Sequence, residues 1–168
     1  MKKKVLILSG GYSKEREISI KTGKDVYKSI KNKYNVKLLD PSKGLINELR
    51  KEKPDIVFNA LHGTYGEDGY VQTILESEKI KYTHSGVYSS SLAIDKEVSK
   101  KIFKKNKIIT PPSFIVTSIH KRIQKKIIKK INNSFKCPVV IKPLNEGSSV
   151  GVYICNNKNF IKNLNKLK

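Results

Sequence analysis

The spacing of apolar residues along this chain switches repeatedly between two periods. Val5-Leu6-Ile7-Leu8 is an unbroken apolar run that stops at Ser9-Gly10-Gly11, as expected of a parallel strand buried on both faces and feeding a turn. After Tyr12 to Ser19 the period becomes helical, with Val26, Tyr27 and Ile30 on one face. Val36 to Pro41 reads as a second strand stopped by proline, and Leu45, Ile46 and Leu49 give the next helix its buried stripe. Asp55 to Leu61 is a third strand, a third helix packs Val71, Ile74 and Leu75, and Ile80-Lys81-Tyr82-Thr83 is a short fourth strand. This β-α-β-α-β order predicts a Rossmann-like α/β domain, with a parallel sheet and right-handed crossovers.

The second part of the chain opens differently. Ser85 to Lys96 passes through a Gly/Ser turn into a helix continued by Val98, Ile102 and Phe103, and Pro111-Pro112 breaks the chain. A domain boundary therefore falls between about Asp95 and Pro112, and we divide the chain into 1–95 and 96–168. Beyond it, Phe114-Ile115-Val116 reads as a strand, and Ile119, Ile123, Ile127 and Ile131 recur every four residues as on one helix face. Val139-Val140-Ile141 and Val152 to Cys155 read as strands, and Phe160, Ile161, Leu164 and Leu167 mark a closing helix. No internal repeat is evident.

Composition narrows the class. At 168 residues the chain can bury a core and form one domain, or one small domain and part of another. The basic start Met1 to Lys4 is followed by an apolar run too short for a signal-peptide core. No stretch approaches membrane-spanning length, so a cytoplasmic protein without a membrane partner is expected. The net charge of +21 raises nucleic acid as a partner. It is nearly all lysine, however, with Arg16, Arg50 and Arg122 the only arginines, and base-gripping surfaces favour arginine with interleaved aromatics. The pairs Lys100-Lys101, Lys104-Lys105, Lys125-Lys126 and Lys129-Lys130 fall on polar helix faces, so a solvated surface is expected and no nucleic-acid partner. Cys137 and Cys155 stand apart, with no histidine at ligand spacing, and are read as packing residues on strands; no metal site is expected.

Three stretches carry candidate chemistry. In Val139 to Gly151 a β-branched run ends in Lys142-Pro143 and opens into Leu144-Asn145-Glu146-Gly147-Ser148-Ser149-Val150-Gly151. A rigid strand thus delivers an ammonium beside a backbone whose small residues let N–H groups approach anionic oxygens, a combination suited to a triphosphate. A hairpin with a polar turn looks the same from sequence. Tyr12 to Ser19, at the end of the first strand, brings Glu15, Arg16 and Glu17 to the edge where open α/β sheets bind ligands; acids at a helix start are the plainer reading. His62-Gly63-Thr64-Tyr65-Gly66-Glu67-Asp68-Gly69 places three glycines in eight positions at that same edge, either as a second wall of one ligand site or as a turn capped by Asp68.

Four blocks taken together resemble the D-alanine–D-alanine ligase family of the ATP-grasp enzymes. They are Gly10 to Ser19; His62-Gly63 with Gly66-Glu67-Asp68-Gly69; Tyr82-Thr83 with Ser85-Gly86-Val87 and Asp95-Lys96; and Val140-Ile141-Lys142-Pro143 with Glu146 to Gly151. The resemblance implies a Rossmann-like domain followed by the first, smaller α+β subdomain of an ATP-grasp fold. It implies ATP-dependent joining of two D-alanines through an acyl phosphate, for peptidoglycan precursors, in a cytoplasmic enzyme of a kind commonly found as a homodimer. Glu15 would then hold the first D-alanine's ammonium, with His62 as a second polar contact and Ser148 in the network that orients the substrate. Lys96 and Lys142 would lie against ATP phosphates, with Glu146, Gly147, Ser148, Ser149 and Gly151 in the nucleotide loop and Gly147 to Gly151 as a lid. His84 departs from the family pattern, which usually has glycine there.

The family's ligands for Mg2+ (or Mn2+), its transition-state arginine and much of its adenine pocket are expected beyond Lys168. On that resemblance the chain looks truncated, with little or no ligase activity alone and no basis for choosing D-alanine, D-lactate or D-serine as acceptor. The alternatives are a non-catalytic remnant that binds D-alanine or nucleotide, and a polybasic nucleic-acid-binding protein.

Overall fold

A computed structural model describes residues 2–135 and 137–167. The chain forms two compact units, Met1–Asp95 and Lys96–Lys168. In the first, β1 (Lys4–Leu8), α1 (Arg16–Ile30), β2 (Asn35–Leu39), a short 3-10 turn (Pro41–Lys43), α2 (Leu45–Glu52), β3 (Ile56–Asn59), α3 (Tyr70–Ser77) and α4 (Val87–Ile94) follow one another. The sheet has order β2-β1-β3 and is parallel throughout, with Leu6 opposite Lys37 on one side and Val57 on the other.

The unbroken apolar run of β1 is explained by burial on both faces. Leu6 and Leu8 pack with Leu39, Leu45, Leu49, Val57, Leu61, Val71 and Leu75 under α2 and α3. Val5 and Ile7 point the other way, into a cluster with Ala60 and the α1 residues Val26, Tyr27 and Ile30. An α/β sandwich with helices on both sheet faces is the outcome expected of alternating elements. Two expectations change. The fourth strand reduces to a single parallel bridge between Val57 and Tyr82, because the chain turns away at His84, whose φ is +88°. That left-handed value is one glycine adopts freely, and histidine is among the few other residues enriched there. Ile46 is not part of the α2 stripe: it is 41% exposed, while Leu45 and Leu49 carry the burial.

The loop from β3 to α3 is fixed by backbone contact. The Gly66 carbonyl accepts from both Asn59 Nδ2 at 2.7 Å and Gln72 Nε2 at 2.8 Å, and both of those side chains are buried. A Cβ on Gly66 would lie 2.4 Å from Leu61 Cβ and 3.0 Å from the Leu61 carbonyl carbon. Neither neighbour is the free end of a flexible side chain, so Gly66→Ala should destabilise the first unit by about 2 kcal/mol, as overpacking does elsewhere. Urea denaturation followed by circular dichroism checks this.

The second unit holds α5 (Lys96–Lys105), α6 (Lys121–Ser134), the antiparallel pair β4 (Val139–Ile141) and β5 (Tyr153–Cys155), and α7 (Phe160–Asn165). The four-residue isoleucine spacing seats Ile127 and Ile131 of α6 in a core with Cys155, Phe160 and Leu164, and Ile119 and Ile123 pack at its margin. Phe114-Ile115-Val116 is irregular and forms no strand, although Phe114 and Val116 still pack against that core. Cys155 is the buried strand residue expected, whereas Cys137 lies outside β4 and is exposed. Burial of the apolar stripe leaves Lys125, Lys126, Lys129 and Lys130 of α6 facing water.

Candidate functional site

Two sets of candidate residues sit one in each unit. In the first, β1 ends in Gly10 and Gly11 and the chain enters α1 through Glu15, whose carbonyl accepts the Ser19 N–H at 3.0 Å. The Ser13 hydroxyl accepts from the Glu15 N–H at 3.0 Å. Ser19 stitches the strand ends together: its Oγ accepts the Gly10 N–H at 2.8 Å and donates to the Ala60 carbonyl at 2.8 Å. Glu15 is only 1% exposed and stands at the positive end of the α1 dipole, a placement that favours a carboxylate. Its Oε1 lies over Gly63, where an added Cβ would come within 2.6 Å of it and 2.8 Å of Ser13 Oγ. Gly63 has φ +69°, so both backbone and space call for the residue without a side chain.

Asp40, just after β2, holds the same glycine turn. It accepts from the Gly11 N–H at 3.1 Å, from the Ser42 N–H at 3.1 Å and hydroxyl at 2.8 Å, and from Arg16 Nη2 at 2.5 Å. Arg16 Nη1 also donates to the Gly11 carbonyl at 2.8 Å. Burial pushes the Asp40 carboxyl upward, but the Arg16 and Ser42 hydrogen bonds outweigh it and leave the group well below the usual carboxylate range. Because the folded value is the lower one, this anchor contributes stability above the unfolded value near 3.9 and loses it as pH falls further. Asp40→Asn should therefore flatten the fall of melting temperature below about pH 4, measured by thermal denaturation against pH.

At this sheet edge an open cleft of about 630 Å³ is lined by Gly11, Tyr12, Ser13, Leu61, His62 and Tyr65, among others. Tyr65 meets Tyr12 and Tyr70 edge to face, with ring centroids 5.6 and 5.2 Å away. The carboxyl edge of a parallel sheet is where such clefts form, since successive loops diverge there. The His62 loop and the Glu15 loop thus share one edge: Glu15 packs beneath Gly63, while His62 and Ser13 reach the cleft wall. Asp68 supplies the turn contacts as well, accepting from the Tyr65 and Tyr70 N–H groups at 2.8 and 3.0 Å.

In the second unit, β4 and β5 form a hairpin, and all the candidate nucleotide residues except Lys96, at the start of α5, occupy its connection. Ser148, Ser149 and Gly151 have φ of +42°, +63° and +68°, and the Val150 N–H donates to the Gly147 carbonyl at 2.9 Å. Two serines in left-handed conformation are unusual and mark a locally strained turn. Lys96 grips the start of this loop, Nζ donating to the carbonyls of Leu144 at 2.8 Å and Glu146 at 2.6 Å. Lys142 is exposed. The structure thus gathers Lys96, Lys142, Glu146, Gly147, Ser148, Ser149 and Gly151 around one loop, with Lys96 acting on its backbone. Among the described residues no three His, Cys, Asp or Glu side chains converge, and no helix is long and apolar enough to cross a membrane. Thr22 and Asp40 were not singled out from sequence. The signal for α1 lay in Ser19, Thr22 and Gly23, small or polar residues one to two turns before Val26, Tyr27 and Ile30 on a helix that must pack.

A parallel-sheet unit with an open cleft at its carboxyl edge, followed by an α+β unit with a lysine-gripped serine and glycine loop, is the architecture of the front part of an ATP-grasp ligase. The family model described as D-ala D-ala ligase N-terminus matches residues 39–85, and that described as D-ala D-ala ligase C-terminus matches 102–167. A D-alanine–D-alanine ligase of Pelagibacter ubique (strain HTCC1062) is 59% identical over 100% of this chain and 55% of its own length. One from Wolbachia pipientis wMel is 45% identical over 89% of this chain and 46% of its own. The crystal structure of D-alanine–D-alanine ligase from Bacillus anthracis is similar with a TM-score of 0.79 at 34% identity, covering 98% of this chain and 53% of that one. A structure of the Bacillus anthracis ligase complexed with ATP matches with a TM-score of 0.71 at 29% identity. The chain belongs to the D-alanine–D-alanine ligase family, and it spans about half the length of the curated relatives it matches.

Proposed function

We propose that this chain carries the first-substrate and phosphate-handling residues of an enzyme that ligates two D-alanines using ATP. In that reaction the γ-phosphoryl of ATP passes to the carboxylate of one D-alanine, releasing ADP. The amine of the second attacks the acyl phosphate, and phosphate leaves from the tetrahedral intermediate. The observation that carries the reading is Glu15, a buried carboxylate at the head of α1 with a glycine held against it in a chain of this family. An ammonium that meets a carboxylate at this depth gains a charge-assisted hydrogen bond in a desolvated setting.

Each residue then has a part. Glu15 binds the ammonium, His62 stands beside it, and Ser148 belongs to the network that orients the substrate. Lys142 neutralises phosphate charge, and Lys96 places the loop from Leu144 to Glu146 while adding its own positive charge. Gly147 to Gly151 covers the acyl phosphate against water. The donor set does not fit Mg2+: Glu146 is the only carboxylate in that loop, and no cluster of ligating side chains forms among the described residues. The product would enter peptidoglycan precursor synthesis in the cytoplasm, with the enzyme working as a dimer.

Calorimetry with D-alanine and with ATP, paired with a phosphate-release assay, tests this. Saturable binding of D-alanine but not L-alanine is the expected result, and no binding of either substrate contradicts it.

A further inference from the structure

The ring of His62 is held between α1 and the loop after β3. Its Nε2 lies 3.0 Å from Thr22 Oγ1, and its Nδ1 faces Glu67 Oε1 at 3.6 Å. Glu67 is itself fixed, its Oε2 accepting the Gly63 N–H at 2.8 Å and its own N–H donating to the Gly63 carbonyl at 2.9 Å. Thr22 has a second neighbour, the Ile18 carbonyl, 3.0 Å from the same hydroxyl.

Counting protons orders these contacts. A carboxylate only accepts, and a threonine hydroxyl has one proton to give. Nδ1 beside Glu67 is therefore the nitrogen that favours a proton, by attraction between the N–H dipole and the carboxylate charge. In the neutral ring, Nε2 then accepts the Thr22 hydroxyl proton. In the imidazolium, Nε2 donates to Thr22 Oγ1 and the hydroxyl proton turns to the Ile18 carbonyl. Thr22 serves both states without stranding a polar group. Only the neutral Nε2–H form sets a nitrogen lone pair against the carboxylate.

We propose that Thr22 and Glu67 are positioning residues that hold His62 with its proton on Nδ1, so that the ring acts as a strut between α1 and the β3 loop and does not itself ligand the substrate. Both ring nitrogens face protein groups, and the chain of contacts from Thr22 through His62 and Glu67 ends at Gly63, the residue packed on the Glu15 carboxylate. The strut sets how closely Gly63 sits on Glu15. This rests on the reading of Glu15 as the ammonium partner, and it replaces direct contact with an indirect role for His62.

The test is imidazole nitrogen NMR on the intact chain near neutral pH, with His62 assigned by the signal lost in His62→Gln. A proton on Nδ1 is expected; a neutral ring protonated on Nε2 overturns the proposal. Glu67→Gln should move the ring toward the Nε2–H form, and retention of the wild-type form would remove Glu67 from the role. Thr22→Val should weaken D-alanine binding about fivefold, the worth of one neutral hydrogen bond, with Thr22→Ser restoring it. Unchanged D-alanine affinity in Thr22→Val overturns the strut, whereas failure of the wild-type chain to bind D-alanine refutes the substrate reading and leaves the tautomer result standing. Should Thr22→Val fold poorly, the wild-type spectrum and the serine variant still decide.

Discussion

Glu15→Gln should abolish most of the chain's affinity for D-alanine while leaving its fold intact. The amide keeps the shape of the side chain over Gly63 but removes the charge that an ammonium pairs with. A hydrogen bond to a charged partner contributes about 1.5–3 kcal/mol, so D-alanine binding should weaken roughly tenfold to a hundredfold. Stability should change far less than affinity, because the amide fills the same space over Gly63 at a site 1% exposed. Calorimetry and a melting curve on the same preparation separate the two effects. A variant that melts far lower and still binds D-alanine would mark Glu15 as a structural residue at the helix start, which was the plainer reading of its position.

Lys142→Ala should act on the nucleotide alone. The side chain is exposed and follows the last residue of β4, so its removal takes nothing from the core of the second unit. Its ammonium is a compact charge on a rigid strand end, and losing it should weaken ATP binding about tenfold, with the deficit shrinking as salt is raised. D-alanine binding and the melting temperature should stay as in the wild type. Lys96→Ala offers the contrast: Lys96 Nζ donates to two loop carbonyls, so its loss should loosen the loop and lower stability as well as ATP affinity. Equal melting temperatures for the two variants would show that the Lys96 contacts do not hold the loop.

The parallel sheet was legible because β1 is buried on both faces and says so in four consecutive apolar residues. The isoleucine ladder of α6 was legible for the same reason, a long stripe of one period. Short segments were less so. Ile80 to Thr83 has strand composition but only one bridge, and Phe114 to Val116 has strand composition but packs as irregular chain, since an apolar triplet records burial and not pairing. Ile46 shows the reverse case, an apolar residue at helical spacing left on the surface beside the cleft.

Among the candidate residues, Glu15 and His62 stand out in the sequence because glycine-rich turns follow apolar strands there, and Lys142 and Ser148 because a β-branched run opens into a glycine and serine turn. Thr22 and Asp40 do not, because their importance lies in partners distant in sequence: Asp40 meets Arg16 and Gly11, and Thr22 meets His62. Neither type nor spacing announces such a contact. The left-handed Ser148 and Ser149 were hidden likewise, since glycine is the residue by which sequence ordinarily reports positive φ.

The most direct measurement is an amide NMR titration of the isotopically labelled chain with D-alanine and, separately, L-alanine. Shifts that saturate with D-alanine and cluster at Ser13, Glu15, His62 and Gly63, with no comparable response to L-alanine, are predicted. Equal responses to the two enantiomers, or shifts confined to residues far from the Glu15 turn, would contradict the account.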